Sequence, residues 1–365
     1  MVKLDNRSRW KVCARPLRCT SARICWCIAI ASSFINCSAD AYRLADVRRF
    51  DTAGVFARED SMPLAKPEWS TAITHIIGAG PDIASFRASG GLAVVLLGDP
   101  RRVWYFGLAE QGRLMAGSWR FRPRSTSEML TVGAPSDVMG VASDGTVHLL
   151  DSVKGRITSD NIGGYSHLLT DYRLPATVRR GCALQENRYV FHDAARAGVV
   201  SIRSSSVQDS LHDRVMLTAL NGGDFSGWSE AQLSGAIGRR CILWSPAQAN
   251  AFVVSDSAAT PINLHDFSED VASCPRGLAV IPKGKTHGRR VVRFFDAAGQ
   301  PTGVMRFNRS ILNIGCTDHR LIVLAATTDS TYLASYVLPV RLRDSTFAHE
   351  ATVIAPPSPI SRRAN

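Results

Sequence analysis

No stretch of this 365-residue chain sustains a helical hydrophobic period beyond two or three turns, so a helical bundle is excluded. The short signatures of common chemistries are also missing. There is no phosphate-cradling P-loop, no HExxH helix and no GxSxG elbow, and Gly78-Ala79-Gly80-Pro81 lacks the third glycine of a dinucleotide fingerprint. No block of Lys and Arg is interleaved with aromatics, which argues against specific nucleic-acid binding. Beyond the amino terminus there is no apolar run of the roughly 20 residues that span a bilayer. A composition of 45% hydrophobic and 20% charged residues is that of a folded globular chain.

The amino terminus has its own character. Lys3, Arg7, Arg9, Lys11, Arg15, Arg18 and Arg23 form a basic region, and Ile24 to Ile30 opens an apolar run that fades by Cys37. Ala39-Asp40-Ala41 then places small residues where a signal peptidase reads them. Residues 1–41 are therefore expected to be a signal peptide, with the mature, exported chain starting near Tyr42 in the periplasm or outside the cell. A lipoprotein anchored at Cys37 is the alternative. Cleavage would lower the net charge from +12 to +7, an excess scattered in pairs such as Arg179-Arg180 and Arg289-Arg290. Such pairs read as a solvated surface with a general attraction for anions.

Export also removes five of the nine cysteines and leaves Cys182, Cys241, Cys274 and Cys316. Their spacings of 59, 33 and 42 residues contain no CxxC and no zinc-ligand pattern. In an oxidising compartment they are disulfide candidates with three connectivities, the alternative being small buried thiols.

A phrase is said twice, Arg101-Arg102-Val103-Trp104-Tyr105-Phe106 and Arg289-Arg290-Val291-Val292-Arg293-Phe294. Val103 and Val291 are 188 residues apart, the length of four repeats of about 47, near the roughly 40 to 50 residues of a four-stranded propeller blade. Short β-branched and aromatic runs bounded by Gly, Asp, Pro and Ser fill the interval. The Asp144-Gly145 turn between Val138–Ala142 and Val147–Leu150 is the clearest hairpin, since the primed turn needs the positive φ that Gly supplies. An Asp followed by small residues and Gly recurs at Asp151, Asp193 and Asp296. The expected fold is all-β, a β-propeller of six blades with seven as the alternative, over residues 42–345. Blade four is expected to open at Cys241 and blade five at Gly277. Tyr42 to Val55, or Ala351 to Ile354, is expected to cover the last edge. Residues 346–365, rich in proline, are expected to form a flexible tail.

The unit Val138 to Arg156 (VMGVASDGTVHLLDSVKGR) resembles those of exported six-bladed propellers of the NHL/TolB-like class, and the likeness of strand and turn pattern covers about residues 75 to 340. The resemblance implies sheets around a channel with a binding surface of loops at one mouth. On that reading the chain is a non-catalytic, monomeric module whose partner is a protein or a glycan. The alternative is a metal-dependent hydrolase or lactonase, with His148, His192 and His319 at the channel mouth as bases or ligands. No cofactor is identified; calcium is the metal that Asp144, Asp151 and Asp160 could seed, although such aspartates usually make turns. Trp228, within the irregular stretch Asn221 to Ser234, and Trp244, after it, are candidates for stacking on a sugar ring, against the alternative of core anchors.

Overall fold

The computed structural model describes residues 62–343 except 99–101, 109–113, 120–134, 143–144, 162–166, 172–173, 175–176, 186–187, 194–197, 204–212, 218–227, 229, 238–239, 256–257 and 285–288. The expected signal peptide, Cys37, both expected closing segments, Asp144 and the expected tail lie outside these residues. The described strands begin with β1 (Trp69–Ala72), which leads into a single helical turn at Thr74–Ile77. Next come β2 (Ile83–Ser89), β3 (Leu92–Leu97), β4 (Arg102–Leu108) and β5 (Leu114–Trp119), then β6 (Asp137–Val141), β7 (Thr146–Asp151), β8 (Arg156–Asn161) and β9 (His167–Asp171). The middle of the chain forms β10 (Val178–Gln185), β11 (Arg188–Asp193), β12 (Gly198–Arg203) and β13 (Asp213–Leu217), followed by β14 (Gln232–Ser234), β15 (Cys241–Trp244), β16 (Asn250–Val254) and β17 (Ala259–Asn263). Two further sets follow: β18 (Ser268–Cys274), β19 (Gly277–Pro282), β20 (Val291–Asp296) and β21 (Pro301–Arg306), and then β22 (Ser310–Cys316), β23 (Arg320–Ala326) and β24 (Thr331–Val337).

These strands pair into six four-stranded antiparallel sheets among the described residues. Five are consecutive meanders: β2 to β5, β6 to β9, β10 to β13, β14 to β17 and β18 to β21. The sixth has the order β1-β24-β23-β22, so its outermost strand is the first of the described strands. The leading strands touch in succession, β2 to β6, β10, β14, β18 and β22, and β22 returns to β2. Radial four-stranded sheets whose first strands meet around an axis make this a β-propeller.

The apolar core is divided in the same way. Among the described residues there are six buried clusters, one in each seam between neighbouring sheets. Leu92, Val94 and Leu96 of the first sheet meet Val138, Val147 and Leu149 of the second, and Phe86 and Phe106 of the first meet Ile322, Leu324 and Leu333 of the sixth. Inner strands such as Leu92–Leu97 are buried along their whole length because both faces pack on a neighbouring sheet. The repeated phrase falls where a four-unit interval requires, on the third strand of the first sheet, β4, and on that of the fifth, β20.

Several expectations need correction. The fourth and fifth sheets open on β14 and β18, which precede the expected starts at Cys241 and Gly277. The edge is covered by Trp69–Ala72, in register with Tyr332–Ser335. The recurring aspartates mark two kinds of turn: Asp151 and Asp193 end second strands, whereas Asp296 ends a third strand at the opposite end of its sheet. Asp151 and Asp296 behave alike only locally, each accepting two backbone N–H bonds from the turn that follows.

Candidate functional site

The leading strands share a local irregularity. In β2, β6, β10, β18 and β22 the register slips by one residue near the start, at Ile83/Ser85, Val138/Gly140, Val178/Arg180, Ser268/Asp270 and Ile311/Asn313. A bulge of this kind bends a strand and re-aims its side chains. Here the polar side chains beside the bulges reach the neighbouring leading strand. Ser85 Oγ accepts from Val138 N at 3.4 Å, Asp137 Oδ2 from Gly181 N at 3.1 Å, and Asp270 Oδ2 from Ile314 N at 2.9 Å. Ser234 Oγ donates to Val271 O. Four of the six seams are thus stitched at the same height by a side chain bonded to the next sheet's backbone. The sixth-to-first seam is close instead, since a Cβ on Gly315 would lie 2.8 Å from Ala88 Cβ and 3.0 Å from Ala88 N.

Two seams carry covalent links. Cys182 of β10 is joined to Cys241 of β15 with Cα atoms 6.0 Å apart, and Cys274 of β18 to Cys316 of β22 with Cα atoms 5.0 Å apart. All four are buried.

A charged group lies on the axis at this level. Arg87 of β2 donates through Nη1 to Phe86 O at 2.8 Å and through Nη2 to Leu233 O on β14, three sheets away. Asp137 Oδ1 is 3.9 Å from Arg87 Nη2 and 3.4 Å from Arg180 Nη1, and the same Arg180 nitrogen donates to Ala84 O at 3.0 Å. The Asp137 side chain is fully buried, whereas a quarter of the Arg180 side chain meets solvent. Asp270 accepts from Val271 N at 2.9 Å and Asn313 Nδ2 at 3.3 Å as well as from Ile314. Burial pushes its carboxyl above the usual range, opposed by the Ile314 N–H and by the charge of Arg87. Desolvation likewise lowers the Arg87 guanidinium, with Asp137 and then Asp270 pulling the other way. A guanidinium stays charged regardless, so the cluster keeps two fixed cations.

The residues expected to carry chemistry stand elsewhere. His148, in mid-β7, is buried at the seam of the second and third sheets, where Nδ1 meets Ser159 Oγ at 2.7 Å and Tyr189 OH at 3.3 Å. His192, near the end of β11, is buried beside Asp193, and burial lowers its imidazole below the usual range. His319 lies in the β22–β23 turn, where its carbonyl accepts from Leu338 N. The three belong to different sheets, and among the described residues no three His, Cys, Asp or Glu side chains gather as metal ligands would. Trp228 and Trp244 are each about 95% buried, so neither presents a face to a sugar in this structure. Trp228 packs edge-to-face on Phe252 at 5.2 Å in the third-to-fourth seam, and Trp244 fills the next seam.

One loop residue stands out on the surface. His265 has φ 62°, the left-handed region that non-glycine residues seldom adopt, and stacks near Phe295 with centroids 6.3 Å apart. Its amide donates to Asn263 Oδ1 at 2.8 Å, while Asp266 pairs with Arg293 at 3.4 Å and Phe267 is about half exposed.

No protein-family model and no curated protein matches the chain. Among solved structures, it is similar to the β-propeller domain of Cps50 (Swd1) from Myceliophteria thermophila, with 7% identity over 75% of this chain and 100% of that one and a TM-score of 0.45. It is also similar to virginiamycin B lyase from Staphylococcus aureus, with 8% identity, coverage of 74% and 98%, and a TM-score of 0.44. A third is YCF48 bound to D1 peptide, with 10% identity, coverage of 71% and 78%, and a TM-score of 0.41. At such identities the likeness is of fold, which the sheet order already gives. Among the described residues no helix is long and apolar enough to cross a membrane.

Proposed function

We propose that this chain is a non-catalytic, exported, six-bladed propeller that binds a protein or glycan through its surface. The observation that carries the reading is the use made of the axial carboxylates. In a hydrolase of this architecture, acids near the axis would hold a metal or activate water. Here Asp137 and Asp270 are taken up by backbone N–H groups of the next sheet and by arginine, so their charge serves to hold the ring together. The buried positions of His148 and His192 support the same reading.

A surface role is supported by the loop Leu264 to Phe267. Holding His265 in a left-handed conformation costs on the order of 1 kcal/mol, and such strain tends to persist where a loop shape is used. Phe267 beside it offers an exposed apolar side chain next to Asp266, which pairs with Arg293, and two residues before Glu269, which pairs with Arg289, the composition of a small binding surface. The two buried disulfides support export, since cystines persist in oxidising compartments.

The test is to probe the purified full chain on glycan and peptide arrays, to assay lactone and phosphoester turnover, and to measure metal content before and after chelation. Saturable binding without turnover is the expected result. Turnover that disappears on chelation, or on Arg180→Met, would overturn it.

A further inference from the structure

We infer that the end of the ring where the leading strands begin holds an anion site, built on Arg180 with Arg87 behind it, that takes a carboxylate group of the ligand. This rests on the binding reading above and gives that reading a ligand chemistry.

The argument is one of charge and of unspent donors. Two guanidinium groups face a single oxygen, Asp137 Oδ1, because the other oxygen of that carboxylate is taken by the Gly181 amide. Asp270 makes no close ion pair with either guanidinium among the described residues; its oxygens accept from Val271, Ile314 and Asn313. Arg87 has spent Nη1 and Nη2 on carbonyls, and its Nε is buried with no hydrogen-bond partner. Buried N–H groups are almost always paired, so an orphan of this kind marks a place where a partner belongs.

Arg180 gives the site its access. It lies on the β10 bulge, its Nη1 is held by Ala84 O and Asp137, and a quarter of its side chain remains in solvent. Arg179, also at the bulge, is exposed. A guanidinium fixed at one nitrogen and open elsewhere keeps its planar fork for an oxygen pair, and a carboxylate matches that fork in two parallel bonds. The stitches at Ser85, Asp137 and Asp270 put the starts of their strands at one level, so the site is central and any chain end or acidic sugar reaching it would meet several sheets at once.

The test uses the full chain and three probes: polyglutamate, polygalacturonate and inorganic phosphate, each titrated calorimetrically at low and physiological salt. Wild type is expected to bind at least one carboxylate polymer. Arg180→Met should weaken that binding about tenfold or more, which is what the loss of a charge-assisted pair brings. Arg180→Lys, which keeps the charge and loses the fork, should recover only part of it and serves as the check that the fold is intact. Arg341→Met, at an exposed arginine beyond the far end of β24, should change little. Equal losses in Arg180→Met and Arg341→Met would mean a diffuse basic surface and overturn the site. Binding of phosphate alone, or of no probe, would also overturn it. A neutral glycan or peptide from the arrays that still binds Arg180→Met would sink this inference while leaving the binding reading in place.

Discussion

Arg87, on the leading strand of the first sheet, donates a hydrogen bond to the carbonyl of Leu233, on the leading strand of the fourth. Those strands face each other across the ring, so one side chain closes its diameter. Replacing Arg87 with Met removes the span and leaves Asp137 buried with only Arg180 to balance it. Removing one partner of a buried ion pair costs about 3 to 5 kcal/mol, and the surviving Arg180 contact places the expected loss at the low end, about 3 kcal/mol. Urea unfolding would measure it. Asp137→Asn added to Arg87→Met should cost less than the sum of the two, because the uncompensated charge is then gone.

The disulfides close loops of 59 and 42 residues that do not overlap. Chain-entropy arithmetic gives about 4 kcal/mol for each, and the effects should add because the loops are separate. Cys182→Ser/Cys241→Ser and Cys274→Ser/Cys316→Ser should each lower the melting temperature, and the fourfold variant should drop by both amounts. A fourfold variant no worse than either pair would show that the links act on one shared element.

At Gly315 the backbone of β22 comes close to β2. Gly315→Ala puts a Cβ 2.8 Å from Ala88 Cβ and 3.0 Å from Ala88 N, and backbone cannot swing aside. Overpacking of this sort costs about 1 to 3 kcal/mol. The double variant Gly315→Ala/Ala88→Gly should recover only part of the loss, because the close contact with Ala88 N remains. Chemical denaturation would give both values.

His192 makes stability depend on pH. Burial lowers its imidazole below the ordinary 6.5, so the folded protein favours the neutral form. Its contribution is fully present above about 6.5. As the pH falls below that value the unfolded chain takes up the proton first, and the stability is lost on the way down to the folded value. His192→Gln should flatten the stability profile between pH 7 and 5, which thermal melts at fixed ionic strength would reveal. A profile unchanged by the substitution would assign the slope to other groups.

The sheet pattern was legible where strands were apolar and turns carried Asp-Gly. The repeated phrase at Val103 and Val291 led to the right interval because β4 and β20, both third strands, each carry valine next to aromatic residues. The sequence reading failed at Gln232–Ser234, three residues beside an irregular stretch, and at Ser268–Cys274, whose SEDVASC mixes acids and serines. Those polar residues look like a loop because Ser234 and Asp270 face the axis and bond the neighbouring sheet, a partner that no local pattern contains. Trp69–Ala72 was missed for the same reason, since its pairing partner lies at the other end of the chain. The axial cluster was hidden more completely. Arg87 sits in an ordinary Phe-Arg-Ala-Ser run, and only the bulges and the closed ring bring it beside Asp137 and Leu233.

The order of synthesis gives the sixth sheet a further meaning. Glu68 and Ser335, which share a hydrogen bond, are 267 residues apart, so β1, the first described strand, has no sheet partner until nearly all of the chain exists. Until then the sheets can assemble seam by seam, but the sixth lacks its outer strand. Joining ends so distant is slow because the entropy of closing the long loop is lost before any contact repays it. Completion of the sixth sheet is therefore expected as a late event in folding, and a nascent chain stalled before Thr331 would hold the seams between leading strands but not the β24–β1 pairing that covers the last edge.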